Sequence, residues 1–526
     1  MKGLLSSAAS RAWVGVVAAG VLVVVLVIGL QLIPRLSAGQ DVLDTAKPVM
    51  TDGAVRGEIA GTKLISQYVE LADPLVTKGG AAREVPRLLE LIARRTDLST
   101  QRARALLRRE APHTEALLRA LPFSGIAREG EALTQLLSST LNITPEELQG
   151  QLARSFPKLF AMLSELPSVT SGWRNVPGIE GLTRFDGATV KTLPAFRDYL
   201  RDDLASTVSQ EKNRFQALSG SGGIGYIPYM LLVAGVIVIG FGLLHARWSV
   251  HHPSGRVAWG AVVAIGVVIM VVVGALQYFP RLHGADTTIE RFEPAFDERR
   301  VAGTRAGVDL LVQTVSFGDP IVTAEGGAAE EVPELIAFVS EQAGISRDQV
   351  RSRLRGAAPR TTALLEAIPL SAVSAEVPHL VAVLSRELGL SGDRLVTTLR
   401  GRTPGIAQSI LAVGSVTIGW NATPGSRDLT RLDTNTPVRS IPAFAEYLDQ
   451  DVVPVLESER RHFDKLASTW PPINVLPVLV LAVGALLAIY ATAMMFLVTK
   501  SPARANKRPA RRGANRRRRR PRAARR

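Results

Sequence analysis

The sequence predicts an all-α integral membrane protein in which one unit occurs twice in tandem: a membrane helix, a long helical segment and a second membrane helix. Two observations predict this fold. The stretch DPLVTKGGAAREVP, Asp73 to Pro86, returns as DPIVTAEGGAAEEVP, Asp319 to Pro333. Each copy lies between two apolar stretches that are long enough to cross a bilayer. The repeat therefore predicts both the topology and the architecture.

Composition limits the chemistry that the chain can perform. Its 526 residues are 46% hydrophobic, which indicates that part of the chain lies in a membrane. The sequence has no cysteine, so disulfides, thiolate metal sites and cysteine nucleophiles are excluded. The net charge is +15, but fourteen basic residues and no acid follow from Lys500 onward. The rest of the chain is close to neutral, so the basic character belongs to one tail.

Four stretches without charge are predicted to span the membrane. They are residues 13–33, 226–246, 257–279 and 473–499. The first could also be a cleaved signal peptide, but its ending QLIPRL (Gln31 to Leu36) returns after the third as QYFPRL (Gln277 to Leu282). We therefore interpret both as retained anchors. Gln31 and Gln277 are also candidates for a hydrogen bond between helices.

The short segments between the spans predict the orientation. Residues 1–12, the loop 247–256 and the tail 500–526 are all basic, and basic short segments stay in the cytoplasm. The long segments 34–225 and 280–472 are then two extracytoplasmic helical domains. The bias toward Arg over Lys and the richness in Ala, Val and Gly indicate the plasma membrane of a bacterium.

Each long segment contains a second, shorter repeat of about 45 residues. Val85-Pro86 is predicted to begin a helical unit that recurs near Glu131, and Val332-Pro333 begins one that recurs at Val377-Pro378. Within the units, Thr144 and Ser346 are predicted to cap helices in capping boxes, and Ser99 and Ser391 to cap without the closing residue. A proline then interrupts every unit before a third short helix: Pro112, Pro157, Pro359 and Pro404. Each segment therefore reads as two multi-helix units in a bundle or a short solenoid.

A loop with one tryptophan follows the paired units in both halves. SVTSGWRNVPGIEGLTRFD, Ser168 to Asp186, returns as SVTIGWNATPGSRDLTRLD, Ser415 to Asp433. An exposed aromatic ring beside an Arg–Asp pair could bind a ligand or a partner protein. The alternative, which we favour, is a buried plug with a structural ion pair. The candidate binding residues are Trp173, Arg184, Asp186, Trp420, Arg431 and Asp433.

No catalytic, cofactor or metal motif is present. The seven histidines fall at unmatched positions of the two halves, and no phosphate-binding loop or nucleophile elbow occurs. The pairs Gly79-Gly80 and Gly326-Gly327 could form an anion nest, but a tight turn before the next helix is the simpler interpretation. The spans contain no Asp, Glu, Lys or Arg, which argues against ion-coupled transport. We expect no enzyme activity and no cofactor.

The tail has Arg516, Arg517, Arg518, Arg519 and Arg520 at its centre. Such a segment is disordered until it meets an anion. Anionic lipid at the cytoplasmic face is the expected partner. An acidic protein or a nucleic acid is the alternative, although no aromatic residue is present among the arginines for base stacking. The near-neutral helical segments also argue against DNA binding by their helix–turn–helix units.

The sequence thus predicts a non-enzymatic cell-envelope protein that acts as a scaffold, an accessory subunit or a binding module of a membrane complex. One alternative is a transport or lipid-handling protein with an external apolar groove. A second alternative, an enzyme, has no acid–base pair to support it.

Overall fold

The computed structural model of the protein describes residues 8–77, 79–219, 223–248, 256–275, 279, 282, 284–323, 325–467 and 472–500. Within these ranges the chain is helical, and its extended pairings are two isolated bridges, Thr183 with Thr189 and Thr430 with Pro437. The predicted all-α class is therefore confirmed.

The first half of the described chain forms helices α1 to α12. In order they are Ala8–Gly29, Leu32–Ala46, Asp52–Val76, Ala81–Thr96, Thr100–Glu110, Pro112–Ala120, Phe123–Leu141, Pro145–Ser155, Pro157–Gly172, Leu193–Asp198, Ser206–Leu218 and Ile227–Trp248. A π-helical turn, Tyr199–Ala205, joins α10 to α11, and a 3-10 turn, Ile224–Tyr226, precedes α12.

The second half of the described chain forms helices α13 to α24. In order they are Arg256–Ala275, Ala285–Phe296, Glu298–Val322, Ala328–Ala343, Arg347–Ala357, Pro359–Ala367, Leu370–Glu387, Gly392–Arg402, Pro404–Trp420, Ile441–Tyr447, Val453–Ala467 and Leu476–Lys500. A π-helical turn, Leu448–Val452, joins α22 to α23, and a 3-10 turn, Ile473–Val475, precedes α24.

Four helices, α1, α12, α13 and α24, are long and apolar enough to cross a membrane. They coincide with the four predicted spans. The first differs at its end, because α1 stops at Gly29 rather than at residue 33. Gln31 adopts a left-handed conformation with φ of 48°, which interrupts the helix before α2 begins at Leu32. Gln277, its predicted partner, lies outside the described residues.

The apolar helices α1 (as far as Val27), α12 (from Met230), α13 and α24 belong to one compact unit. Glycines let the helices approach closely: a Cβ on Gly20 of α1 would lie 2.8 Å from the Gly235 carbonyl oxygen of α12. A Cβ on Gly266 of α13 would lie 2.6 Å from the Gly484 carbonyl oxygen of α24. Small residues at such contacts are typical of helix pairs in membranes.

The second compact unit, Ile28–Tyr229 with Phe279–Val475, is called here the helical unit. Its two 25-residue helices, α3 and α15, each pack against a helix of the other half of the chain: α3 against α21, and α15 against α9. The segments 34–225 and 280–472, predicted as separate domains, thus share one hydrophobic core.

Four glutamates join the two halves of the helical unit. Each accepts hydrogen bonds from two backbone N–H groups at the start of a helix in the other half, directly after the proline at its first position. Glu84 caps α21, Glu129 caps α18, Glu331 caps α9 and Glu376 caps α6. The first N–H groups of a helix have no partner in the helix, and a carboxylate there also interacts favourably with the helix dipole. The repeated glutamates and prolines of the sequence are therefore partners across the halves.

The Val-Pro pairs do not begin helices, contrary to the prediction. α4 starts at Ala81, so Pro86 lies inside it, and α16 starts at Ala328, so Pro333 lies inside that helix. The turn before α4 contains Gly80, whose backbone lies close to the end of α3. A Cβ there would come within 2.3 Å of the Pro74 carbonyl oxygen.

The predicted helix caps are confirmed at three of four positions. Thr144 and Ser346 form full capping boxes, with Glu147 and Gln349 as the closing residues. The Ser99 side chain accepts a hydrogen bond from the Arg102 N–H. Ser391 has cap geometry but its side chain makes no capping hydrogen bond.

Candidate functional site

A cavity of about 180 Å³ lies within the helical unit. Its wall comes from α2, α3, α11 and the adjoining π turn in the first half, and from α14, α15, α22 and α23 in the second. The side chains that line it are almost all aliphatic or aromatic, among them Val42, Leu204, Ile289, Phe444 and Leu456. Both halves of the chain therefore form one apolar site.

One ionisable side chain, that of Glu58 on α3, lines this cavity among the described residues. The other polar lining side chains there are hydroxyls, Thr62, Thr207, Thr288 and Thr304. A carboxyl group among apolar residues is costly unless it is neutral or paired. Its surroundings therefore decide what the cavity can bind.

The Glu58 carboxyl has one hydrogen-bond partner in the described chain. The buried Tyr447 hydroxyl donates to Glu58 Oε1 at 2.6 Å. Burial raises the pKa of Glu58 to about 7, against the opposing but smaller effect of the bond from Tyr447. Burial, followed by the nearby Glu58 charge, also raises the pKa of Tyr447 well above its usual value. The carboxyl thus changes its charge near neutral pH while Tyr447 stays a donor.

The equivalent position in the second half carries no charge. Thr304 of α15 stands where Glu58 stands in α3, and its hydroxyl lies 3.4 Å from the hydroxyl of Tyr199. Tyr199 and Tyr447 are the matching tyrosines of the repeated sequences LPAFRDYL and IPAFAEYL. The same helix contact therefore forms with threonine, so packing alone does not require a carboxylate.

Other buried carboxylates on the lining helices have protein partners. Glu211 of α11 accepts hydrogen bonds from Thr288, at 2.8 Å, and from Arg214 and Arg291. Burial alone would raise the pKa of Glu211, but these bonds and charges hold it below its usual value. Glu459 of α23 is bonded to Thr45 and His462. Neither residue lines the cavity.

The candidate tryptophans predicted from the sequence are fully buried. Trp173 donates from Nε1 to Asp73 Oδ1 at 2.7 Å, and Trp420 donates to Asp319 Oδ1 at 2.8 Å. The two aspartates come from the repeated DP motif, and they lie in the last turn of α3 and α15. Both rings fill the core, and a binding role for them stays a prediction.

The candidate arginines hold the loop to the π turns. Arg184 donates to Asp203 at 3.0 Å, whereas Asp186 accepts from the Ala188 N–H. Arg431 is buried and donates to Asp451 at 2.6 Å, with Asp433 3.7 Å away. The structure therefore brings each arginine to an aspartate about 20 residues later in the chain, and Asp186 and Asp433 are peripheral.

The tail arginines Arg516 to Arg520 lie outside the described residues. In the part of the chain that the structure describes, no cluster of three or more His, Asp or Glu side chains could hold a metal ion. Comparison of the chain with protein-family models, with curated proteins and with solved structures finds no match.

Sequence reasoning missed Glu58 and Tyr447. One signal was present: Tyr447 lies in a repeated block, and Glu58 is an acid where the second copy of α3 has a threonine. Most other residues of α3 and α15 that pack inward are apolar or small in both copies, such as Gly57 with Gly303 and Gly61 with Gly307. An acid at one inward position of one copy, opposite a threonine in the other, indicates that the two copies differ in function at this position.

Proposed function

We propose that the protein is a non-enzymatic membrane protein of a bacterial cell envelope, whose duplicated helical segments lie outside the cytoplasm and hold a small apolar molecule. The cavity is the observation that carries this proposal. Its volume of about 180 Å³ exceeds the roughly 150 Å³ of an engineered apolar cavity that binds benzene. A wall of aliphatic and aromatic side chains suits an alkyl chain or a ring.

Membrane lipid is the expected source of the occupant. Two residues of the cavity wall, Ile224 and Ile473, stand three positions before the first residues of the apolar helices α12 and α24 in the sequence. An apolar compound dissolves in a bilayer and is scarce in water. A site for an apolar molecule from the membrane combines two of the functions that the sequence predicts, a binding module and a lipid-handling protein. An accessory subunit of a larger complex would use the same bound molecule.

Photolabelling of the full chain in mild detergent tests this function. An octyl diazirine inserts into side chains that it touches, and the labelled peptides are mapped by mass spectrometry. We expect labelling on cavity residues such as Val208 and Leu456. Ile289→Trp fills the cavity and should reduce that labelling by about tenfold, the loss of roughly 1.4 kcal/mol of binding.

Ile59→Trp is the matched control, since Ile59 is 40% exposed, neighbours Glu58 in the sequence and does not line the cavity. It should leave the labelling of the cavity unchanged. Absence of label from the lining residues of the wild type, or equal loss in both variants, would contradict the proposed function.

The topology and the tail form a separate part of the proposal. The helical unit lies outside the cytoplasm, and the basic tail lies inside against anionic lipid. Protease accessibility in intact cells and in inverted vesicles tests the sidedness. A tail that is cleaved in intact cells would contradict it.

A further inference from the structure

The Glu58 carboxyl has hydrogen-bonding capacity that the described protein does not use. Tyr447 occupies Oε1, and no described residue donates to Oε2. The side chain lines the apolar cavity, and no Lys, Arg or His lines the cavity with it in the described chain. A carboxylate in such a place lacks a cation.

We propose that Glu58, held by the Tyr447 hydroxyl, binds the protonated amine of a cationic amphiphile whose apolar part fills the cavity. This rests on the proposed function, since it names the class of apolar ligand. The ammonium group would donate to Glu58 Oε2 and supply the missing positive charge. The chain or ring would contact aliphatic lining residues such as Leu204 and Ile289.

Ligands of other charge fit the site less well. An anionic head group would meet a carboxylate without any basic lining residue to offset the repulsion. A hydroxyl could donate one hydrogen bond to the carboxylate, but it brings no positive charge to offset the negative charge of Glu58 in an apolar site. The site therefore discriminates by charge as well as by apolar volume.

A purely structural role explains Glu58 poorly. The matching site of the second half forms the same helix contact with Thr304 and Tyr199. A threonine meets the tyrosine there without the cost of a buried charge. Glu58 is partly buried, and no basic side chain lines the cavity with it in the described chain, so a bound cation would offset its charge.

Among the described residues, Glu58 is the one ionisable side chain that lines the cavity. Tyr447 is the hydrogen-bond partner, and Asp451, the next acid near it, is paired with Arg431 at 2.6 Å. The buried acids on the other lining helices, Glu211 and Glu459, have their own partners. Arg305, beside Thr304, is held by Asp449 and Glu457. A pH response of amine binding should therefore come from Glu58.

Competition against the octyl diazirine tests the inference on the full chain in one detergent. Octylamine, octanol and octanoate are compared as competitors for the labelling of cavity peptides, in the wild type and in Glu58→Gln. The detergent partitioning of each competitor cancels, because each is compared with itself in two proteins. At pH 8 we expect octylamine to lose about tenfold in potency in Glu58→Gln, as befits one charge-assisted hydrogen bond.

The pH profile separates recognition from a structural effect. Octylamine stays protonated between pH 6 and 8, so its potency on the wild type should rise by about tenfold as Glu58 ionises around pH 7. Glu58→Gln should show a flat octylamine profile, and octanol, which carries no charge, should lose less potency than octylamine in this variant. Glu334→Gln, at an exposed position of α16, is the control for the same substitution elsewhere.

The outcomes distinguish the two proposals. Equal octylamine potency in the wild type and Glu58→Gln, with normal labelling of the cavity, would overturn the amine inference and leave the apolar site intact. A wild type whose cavity is not labelled at all would overturn the proposed function and this inference with it.

Discussion

The two long helices α3 and α15 show what the copies of this chain share and where they differ. Both carry in their last turn an aspartate that accepts a hydrogen bond from a buried tryptophan, Asp73 from Trp173 and Asp319 from Trp420. Farther from this end, α3 presents Glu58 to a tyrosine where α15 presents Thr304. The shared contacts hold the fold. The Glu58 carboxyl is not required for the helix contact, since Thr304 forms the same contact in the other copy. The ligand proposal rests on this carboxyl.

The largest expected effect concerns the shared contacts. Trp420→Ala empties a fully buried site and leaves the Asp319 carboxylate without its N–H donor. We expect a loss of about 3–5 kcal/mol in the free energy of unfolding, with a similar loss for Trp173→Ala. Thermal unfolding of the purified protein measures both. A large effect in one variant and none in the other would break the equivalence of the two sites.

Substitution of Glu58, at the position that the copies do not share, should raise the free energy of unfolding, whereas the tryptophan substitutions lower it. Its pKa is raised in the folded protein to about 7 from a usual value of 4.5, so the folded state binds the proton more tightly than the unfolded state. Its contribution therefore favours folding at low pH and is lost as the pH rises toward 7. Glu58→Gln should stabilise the ligand-free protein at pH 8 by up to about 3 kcal/mol. It should have little such effect near pH 4.

Unfolding measured at both pH values, with Glu334→Gln as the control, checks this prediction. A Glu58→Gln variant that is less stable than the wild type at pH 8 would show that the carboxylate is needed for folding.

The smallest expected effect concerns the caps between the halves. Glu376→Ala removes the acceptor for the His113 and Thr114 N–H groups at the start of α6. We expect a loss of about 1–2 kcal/mol, the usual value of a helix cap. Glu84→Ala should cost a similar amount at α21, because its two bonds have the same geometry. Exposed Glu334→Ala serves as the reference, and losses no larger than that of the reference would contradict the assigned role.

Much of the fold could be predicted because it depends on local chemistry. The four apolar stretches and the capping boxes at Thr144 and Ser346 follow from neighbouring residues, and so do the helix starts at Pro112, Pro157, Pro359 and Pro404. The function of the repeated glutamates could not be predicted, since Glu84 and its helix at Pro404 are far apart in the sequence. The Val-Pro pairs predict helix starts because proline favours a first turn, yet the helices begin earlier.

The site depends on distant parts of the chain and was not predictable in the same way. Its wall joins residues from α2 near Val42 to residues from α23 near Leu456, and periodicity does not report such a juxtaposition. The repeated tryptophan loops are candidates from the sequence alone, and the structure buries both rings in the core. The more useful signal was a difference between the copies, Glu58 against Thr304.

The most direct test of the central claim is a solvent extract of the protein purified in mild detergent, analysed by mass spectrometry. The account predicts one apolar compound, close to one per chain, that is enriched over bulk lipid in the wild type and absent from Ile289→Trp. The same compound should be present in the control variant Ile59→Trp, in the same amount as in the wild type. An extract that contains only bulk lipid, or that is the same for the wild type and Ile289→Trp, would contradict the claim that this cavity is a binding site.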